Sequence, residues 1–444
     1  MSRIVGMSET HRGPSPIYRR LPHGPNGMSR EDVARNQRAR MYGGMIEAVA
    51  VRGYARTTVA DVIGFAGVSR RAFYEQFANK EACFLATYDI VVARSRKVML
   101  DGWSRERGWA NRVHGACRSL LDDVAGTPNG PRLVLVDSLG VGPNVRPRMA
   151  LAATTFERVV AMAFQADPDG EELSPMTVKA LVAGIRHVAF MRMYEGREKE
   201  LRTLADEVLD WIESYRSPLA RRLNASGLVV PESVEPEPAA FLSRDDRRAR
   251  SMSALVHLTL DEGYAGLSDP QIAQFAGIST EGFHKQFANK EACFLAVLDE
   301  FVAEAMEAVK GAVLTASTWP EAVHAAVRAL VEYFAAHEAL SRLAFIDIFD
   351  VGPGMVGRMT RSIEDFTKLL HELGPEPRRG PLVAREAVTG AIWGIVSSYT
   401  AHDRVRQLPR LTDQLTFIVL APYIGAKPAM ETIEAARKPL PSDY

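Results

Sequence analysis

Apolar positions along this chain recur at spacings of three and four rather than two, the period of helices that bury one face. In RNQRARMYGGMIEAVAVRGY, Met41, Met45, Ile46 and Val49 share such a face, and Gly53 stands where the helix would stop. Thr58 then reads as an N-cap with Asp61 at the capping-box position. Val59, Val62, Ile63 and Ala66 predict a second helix of about two turns, closing at Gly67. Ser69 caps RRAFYEQF, where Phe73 and Phe77 point inward and Arg70, Arg71, Tyr74 and Glu75 point to solvent. Asn79 caps a longer fourth helix that begins KEACFLA. Two short helices around a glycine-containing turn make a helix-turn-helix.

The stretch QFANKEACFLA occurs at 76–86 and, letter for letter, at 286–296. At that offset 52–86 lies over 262–296 without a gap, pairing Gly53 with Gly263, Tyr54 with Tyr264, Phe65 with Phe275 and Phe73 with Phe283. LVLVDSLGVGPNVRPRM (133–149) continues the match onto LAFIDIFDVGPGMVGRM (343–359), and its Val-Gly-Pro triplets read as helix-ending loops. A fainter echo pairs Gly184 with Gly390 and 201–209 with 408–416, at a slightly shorter offset. Internal self-similarity on this scale means a duplicated unit, here of roughly 190 residues. The expected organisation is a basic arm (1–28), a helix-turn-helix domain (29–86), a helical domain (87–216) and a Pro/Glu-rich linker (217–243). A second helix-turn-helix domain (244–296), a second helical domain (297–428) and a tail (429–444) follow. The fold class is all-α.

Composition narrows the function classes. With 47% hydrophobic and 24% charged residues in 444, the chain is ordinary for a soluble multidomain protein, and no apolar run nears the roughly 18 residues of a membrane span. Three cysteines are too few for a disulfide framework and no secretory signal leads the chain, so a reducing cytoplasm is expected. Cys83 and Cys293 hold the same helical position among apolar neighbours, which favours packing over redox chemistry. No phosphate loop, nucleophile elbow or metal-ligand spacing is present, so neither catalysis, a metal nor a cofactor is expected. Net charge is zero, with 54 basic and 54 acidic residues, so nucleic acid would have to meet a local patch.

The stretch RGYARTTVADVIGFAGVSRRAFYEQFANKEACFLATYD closely resembles the N-terminal DNA-binding domain of the tetracycline-repressor (TetR/AcrR) family. Gly-Tyr, Thr-Thr-Val, Ala-Gly-Val-Ser, an aromatic-Tyr pair and Lys-Glu recur there at these spacings. The resemblance covers about 50 residues of each unit by motif. It implies an all-helical regulator that represses transcription until a small hydrophobic effector binds, with double-stranded DNA as partner. It further implies that one chain supplies what two subunits supply elsewhere, as a monomeric pseudo-dimer; pairing of two chains into a homodimer is the alternative. On the recognition helix Arg70 and Arg71 sit where base reading occurs, since arginine can bridge guanine O6 and N7, and the capping Ser69 is a further candidate DNA contact. By correspondence with the family, Thr58, Tyr74 and Lys80 would hold phosphates.

The second helix-turn-helix keeps the frame and changes the face. Arg70 and Arg71 become Thr280 and Glu281, Ala72 becomes Gly282 and Tyr74 becomes His284. Residues 29–82 hold nine basic and six acidic residues, 239–292 hold six and seven, so the local balances are +3 and −1. Phosphate attraction favours the first, although Thr280, His284, Lys285 and Lys290 remain candidate DNA contacts in the second. For the effector, a pocket between the last helices of each unit and the preceding ones is expected, with His187, Tyr194 and Trp393 as candidate lining residues. The reading is a DNA-binding regulator acting as a pseudo-dimer on an asymmetric operator. The alternative is a ligand-sensing or protein-docking scaffold without specific DNA binding.

Overall fold

The computed structural model describes residues 29–167, 173–217, 223, 239–352, 355, 357, 358, 368, 374, 375, 377, 378 and 381–437. Among these every regular element is helical. The expected basic arm (1–28), most of the linker and the residues after 437 lie outside the described residues.

The chain divides into two compact units: residues up to 93 together with 129–141, and the remainder. In the first, α1 (Arg30–Arg52) is capped by Ser29 and ends at Gly53, whose φ of 72° is a conformation glycine takes without strain. It is followed by α2 (Val59–Ala66), α3 (Arg70–Gln76) and α4 (Lys80–Arg105), the last running on beyond this unit. Met41, Met45, Phe73 and Phe84 have no exposed surface and form the centre. Gly44 lets α1 lie directly on α2, because a Cβ there would come within 2.5 Å of the Val62 carbonyl. Helix α6 (Asn129–Leu135) joins this unit, with Gly130 against Val91 and the Asn129 amide donating to Glu47 at 3.1 Å.

The second unit holds α5 (Trp109–Gly126), α7 (Arg146–Gln165), α8 (Pro175–Tyr194) and α9 (Ala205–Glu213) from the first repeat. The second repeat adds α10 (Arg247–Glu262), α11 (Asp269–Phe275), α12 (Thr280–His284), α13 (Lys290–Val313), α14 (Trp319–Ala336), α15 (Glu338–Arg342), α16 (Pro381–Ala401), α17 (Thr412–Ile424) and α18 (Ala426–Arg437). A π-turn, Leu343–Asp347, follows α15. In both repeats a 3-10 stretch breaks the last two large helices, at Glu198–Thr203 and at Val405–Leu411.

Helices α8 and α16, one from each repeat, pack along their length, with small residues setting the distance. A Cβ on Gly184 would meet the Ala387 carbonyl at 2.7 Å, and one on Gly394 would meet the Ala183 Cβ at 2.5 Å. Gly390 faces the His187 side chain in the same way. Beside this seam the fully buried Trp211 donates to the Tyr215 hydroxyl at 3.0 Å, which donates to the Ile418 carbonyl at 2.8 Å. Arg146 of the first repeat pairs with Asp350 at 2.7 Å and donates to the Ile346 carbonyl of the π-turn at 3.2 Å.

Two boundaries differ from the expected ones. The linker does not run to 243, because Ala240–Leu242 is a 3-10 turn with Phe241 fully buried and its N–H on Glu304 at 2.9 Å. The segment from 429 to 437, expected as tail, belongs to α18: Ala429, Met430 and Ile433 are buried on one face, and Arg437 pairs with Asp413 at 2.6 Å. Both follow from a few apolar side chains in otherwise polar stretches, too few to register as a helical period.

Candidate nucleic-acid interface

In the first helix-turn-helix, a capping box fixes the start of α2. The Thr58 hydroxyl accepts from the Asp61 N–H at 3.2 Å, and Asp61 accepts the Thr58 N–H at 2.9 Å. The Thr58 hydroxyl also donates to Asp61, and that bond holds the Asp61 carboxyl below the usual carboxylate range. Gly67, left-handed at φ 59°, turns the chain, and Ser69 caps α3 by accepting the Ala72 N–H at 3.1 Å. Phe73 and Phe77 anchor α3 from below, and Arg38 holds its last turn by donating to Gln76 at 3.0 and 2.5 Å.

What remains outside is a short basic helix. Arg70 and Arg71 are exposed at its start; the Arg70 guanidinium lies 5.8 Å from the Tyr74 ring, and Arg71 pairs with Glu75 at 2.8 Å. Tyr74 is 47% exposed, which leaves its hydroxyl available to a partner. Lys80 opens α4 with its ammonium 4.2 Å from the Tyr54 ring and 3.0 Å from the Tyr54 carbonyl. Partial burial lowers the pKa of that ammonium, which keeps further donors for an anion. Thr58, Ser69, Arg70, Arg71, Tyr74 and Lys80 thus lie on α2, α3 and the start of α4 within one small domain.

The second helix-turn-helix repeats the frame through Met252, Leu255, Phe283 and Phe294, all buried, with Ser268 and Gln271 as its capping box. Its recognition helix is shorter, Thr280–His284 against Arg70–Gln76. Thr280, His284 and Lys285 are exposed. Glu281 pairs with Lys285 at 2.8 Å, which is the Arg71–Glu75 pair with its signs exchanged. Lys290 is more tightly held than Lys80: its ammonium donates to the Tyr264 and Leu267 carbonyls at 3.1 and 2.7 Å. Sequence reasoning passed over Asp269, whose carboxylate accepts the Lys290 N–H at 2.8 Å and stands 3.8 Å from the His284 ring. The signal was the Ser-Asp-Pro opening of α11, where the first repeat has Thr-Val-Ala.

Each helical region also contains a cavity. In the first repeat a space of about 270 Å³ is lined almost wholly by hydrocarbon from α4, α5, α7 and α8, including Trp103, Leu120, Leu121, Phe164 and Ile185. Cys117 lies on its wall, and burial pushes that thiol up to about 12. The corresponding space in the second repeat is about 100 Å³, among Phe301, Phe334, Phe345 and Trp393, with the Asp299–Arg358 ion pair at its edge. Of the candidate effector contacts, Trp393 stands on this wall. His187 instead packs against Gly390 in the α8–α16 seam, where burial first, and then Arg186 and Arg192, depress its pKa to about 4. Tyr194 stacks on Phe190 at 5.8 Å and borders neither cavity. Among the described residues no three His, Cys, Asp or Glu side chains stand together as a metal would require, and no helix is long and apolar enough to cross a membrane.

Residues 46–87 and 252–297 each match the profile of bacterial regulatory proteins, tetR family. The HTH-type transcriptional activator FasR of Mycolicibacterium smegmatis is 26% identical over 148 residues, covering 32% of this chain and 68% of that protein. Among solved structures, the fatty acid degradation regulator FadR of Bacillus halodurans aligns at 17% identity with a TM-score of 0.37, over 41% of this chain and 99% of that one. FadR of Bacillus subtilis, solved with stearoyl-CoA, aligns at 14% and 0.36, over 39% and 96%.

Proposed function

Given that the chain belongs to the tetR family of bacterial regulatory proteins, with two family units in tandem, we propose that its first helix-turn-helix is the principal reader of an asymmetric operator. The observation that carries this is the exposed Arg70–Arg71 pair at the start of α3, set against Thr280 and Glu281 at the same positions of α12. Arginine at the N-terminal end of a recognition helix reaches the guanine edge in the major groove, and the neighbouring Thr58, Tyr74 and Lys80 suit phosphate. Packing of α8 on α16 within one polypeptide supports a pseudo-dimer that acts as a single chain. Two-fold symmetry, which forces a palindrome on a homodimer, is then relaxed.

The hydrocarbon lining of the 270 Å³ cavity suits a small hydrophobic effector, with release from DNA on binding as the regulatory outcome. A footprint of the purified chain on DNA upstream of its own gene, at near-physiological salt, tests the reading. Protection of two unlike half-sites or of one half supports it. Equal base preferences in both halves of a selected site overturn the asymmetric operator. Failure to select any duplex from a random pool favours a scaffold without specific DNA binding.

A further inference from the structure

A helix N-terminus holds anions because its first N–H groups have no partner inside the helix and its dipole end is positive. The two helix-turn-helix domains treat this position oppositely. At the start of α4 the repeat position equivalent to Asp269 is Val59, which has no side-chain acceptor, and among the described residues the Lys80 N–H has no acceptor. At the start of α13 the equivalent residue is Asp269, and its Oδ1 accepts the Lys290 N–H at 2.8 Å. Its Oδ2 stands 3.8 Å from Nε2 of His284, the residue that replaces Tyr74. The Lys290 ammonium is turned onto two backbone carbonyls and the Tyr264 ring, at 4.5 Å.

We infer that Asp269 takes, from inside the protein, the place a DNA phosphate would occupy on the second helix-turn-helix, so that the chain grips DNA through the first. The carboxylate supplies the negative charge and the acceptor oxygen that a phosphate brings, and it is tethered, so an incoming phosphate would have to displace it and meet its charge. Glu281, exposed at the second position of α12 and paired with Lys285, stands where the first repeat presents Arg71. The inverted recognition helix and the filled anion seat close one surface by two independent means.

This inference rests on the reading of the first helix-turn-helix as the DNA grip, and the test keeps the two separate. Duplexes are selected from a random pool with the full chain. Hydroxyl-radical footprints and the salt dependence of affinity are then measured for the parent, Asp269→Val, Asp269→Asn, and Asp269→Val with Glu281→Arg. The parent is expected to protect one half of its site. Asp269→Val should extend protection into the other half and steepen the slope of log K against log salt by about one for each phosphate gained. Asp269→Asn keeps a hydrogen-bonding cap and should move the slope less, in the same direction; it decides the matter if the valine variant does not fold. Equal protection of both halves by the parent overturns the inference. So does a slope unchanged in all three variants. Arg70→Ala with Arg71→Ala tests the underlying reading: undiminished binding by that variant overturns it whatever Asp269 does. A parent that selects no duplex overturns both.

Discussion

Nη1 of Arg192 lies 2.8 Å from Oε1 and 2.7 Å from Oε2 of Glu386, and the two residues come from different repeats of one chain. Arg192 is 7% exposed, and burial raises the Glu386 carboxyl even though the guanidinium pulls it down. Removing one member of such a pair strands the other without its partner. Glu386→Ala is therefore expected to cost about 3 kcal/mol, the lower end for a broken buried pair, because Glu200 lies 3.4 Å from Arg192 and offers partial relief. Urea unfolding measures it, and a change below about 0.5 kcal/mol would be that of an exposed pair.

The glycines of the seam are equally exposed to test. In Gly184→Ala the new Cβ would lie 2.5 Å from the Trp211 ring and 2.7 Å from the Ala387 carbonyl, a backbone atom that cannot rotate away. Overpacking of this kind costs roughly 1–3 kcal/mol, so the melting temperature should fall. Gly311→Ala, on the exposed side of α13 with no atom near its Cβ, should hold or raise it and serves as the control.

On DNA, Arg70→Ala and Arg71→Ala should each weaken binding to the selected site by about 1–3 kcal/mol, roughly fivefold to 150-fold, and relax the base preference at one position. Thr280→Ala should change affinity far less. Competition titrations against single-base variants of the site give both numbers, and equal losses from the two helices would sink the assignment of α3 as principal reader.

Acidity offers a cleaner probe of the contact between the repeats. Burial holds the Asp347 carboxyl up at about 6 from an ordinary 3.8, with Arg342 and Arg146 opposing and Asp350 adding. The folded state therefore binds a proton more readily than the unfolded one, and the stability this supplies below pH 4 is lost as pH rises through 6. Asp347→Asn removes the ionisation. Relative to the parent it should gain stability between pH 4 and 6, on the order of 1–3 kcal/mol, and then hold that advantage. Melting curves across that range decide, and a difference independent of pH would show that the carboxyl titrates normally.

The three cysteines should be silent to a water-soluble thiol reagent in the native state. All are buried, and desolvation lifts each thiol to about 12. The thiolate is the reactive form, so no label is expected until denaturant opens the fold. Prompt reaction at Cys117 would mean that the larger cavity opens readily to solvent.

Much of this architecture was legible in the sequence, because the helix-turn-helix is written in local signals. Thr58 with Asp61, Gly67, Ser69 and Asn79 are caps and turns that act within a few residues, and Phe73 and Phe77 mark the buried side by spacing alone. The exact repeat then extended one reading to both halves. What stayed hidden depends on contacts between distant segments. Nothing near His187 announces that it faces Gly390, and Phe241 looks like part of a linker until Glu304 is found beside it. The contact of Asp269 was obscured for a related reason: as a helix-opening residue it fits its own helix, and the Lys290 amide that it caps is reached only through the fold.

Because α8 and α16 belong to one polypeptide, closing the seam between them is a first-order event, indifferent to how many copies of the protein a cell holds. A homodimeric regulator diluted below its dissociation constant falls apart and loses its operator as the square of its abundance. In the proposed single-chain pseudo-dimer, occupancy should track abundance in simple proportion down to the lowest copy number, giving a promoter a graded dose response where separate subunits would give a threshold.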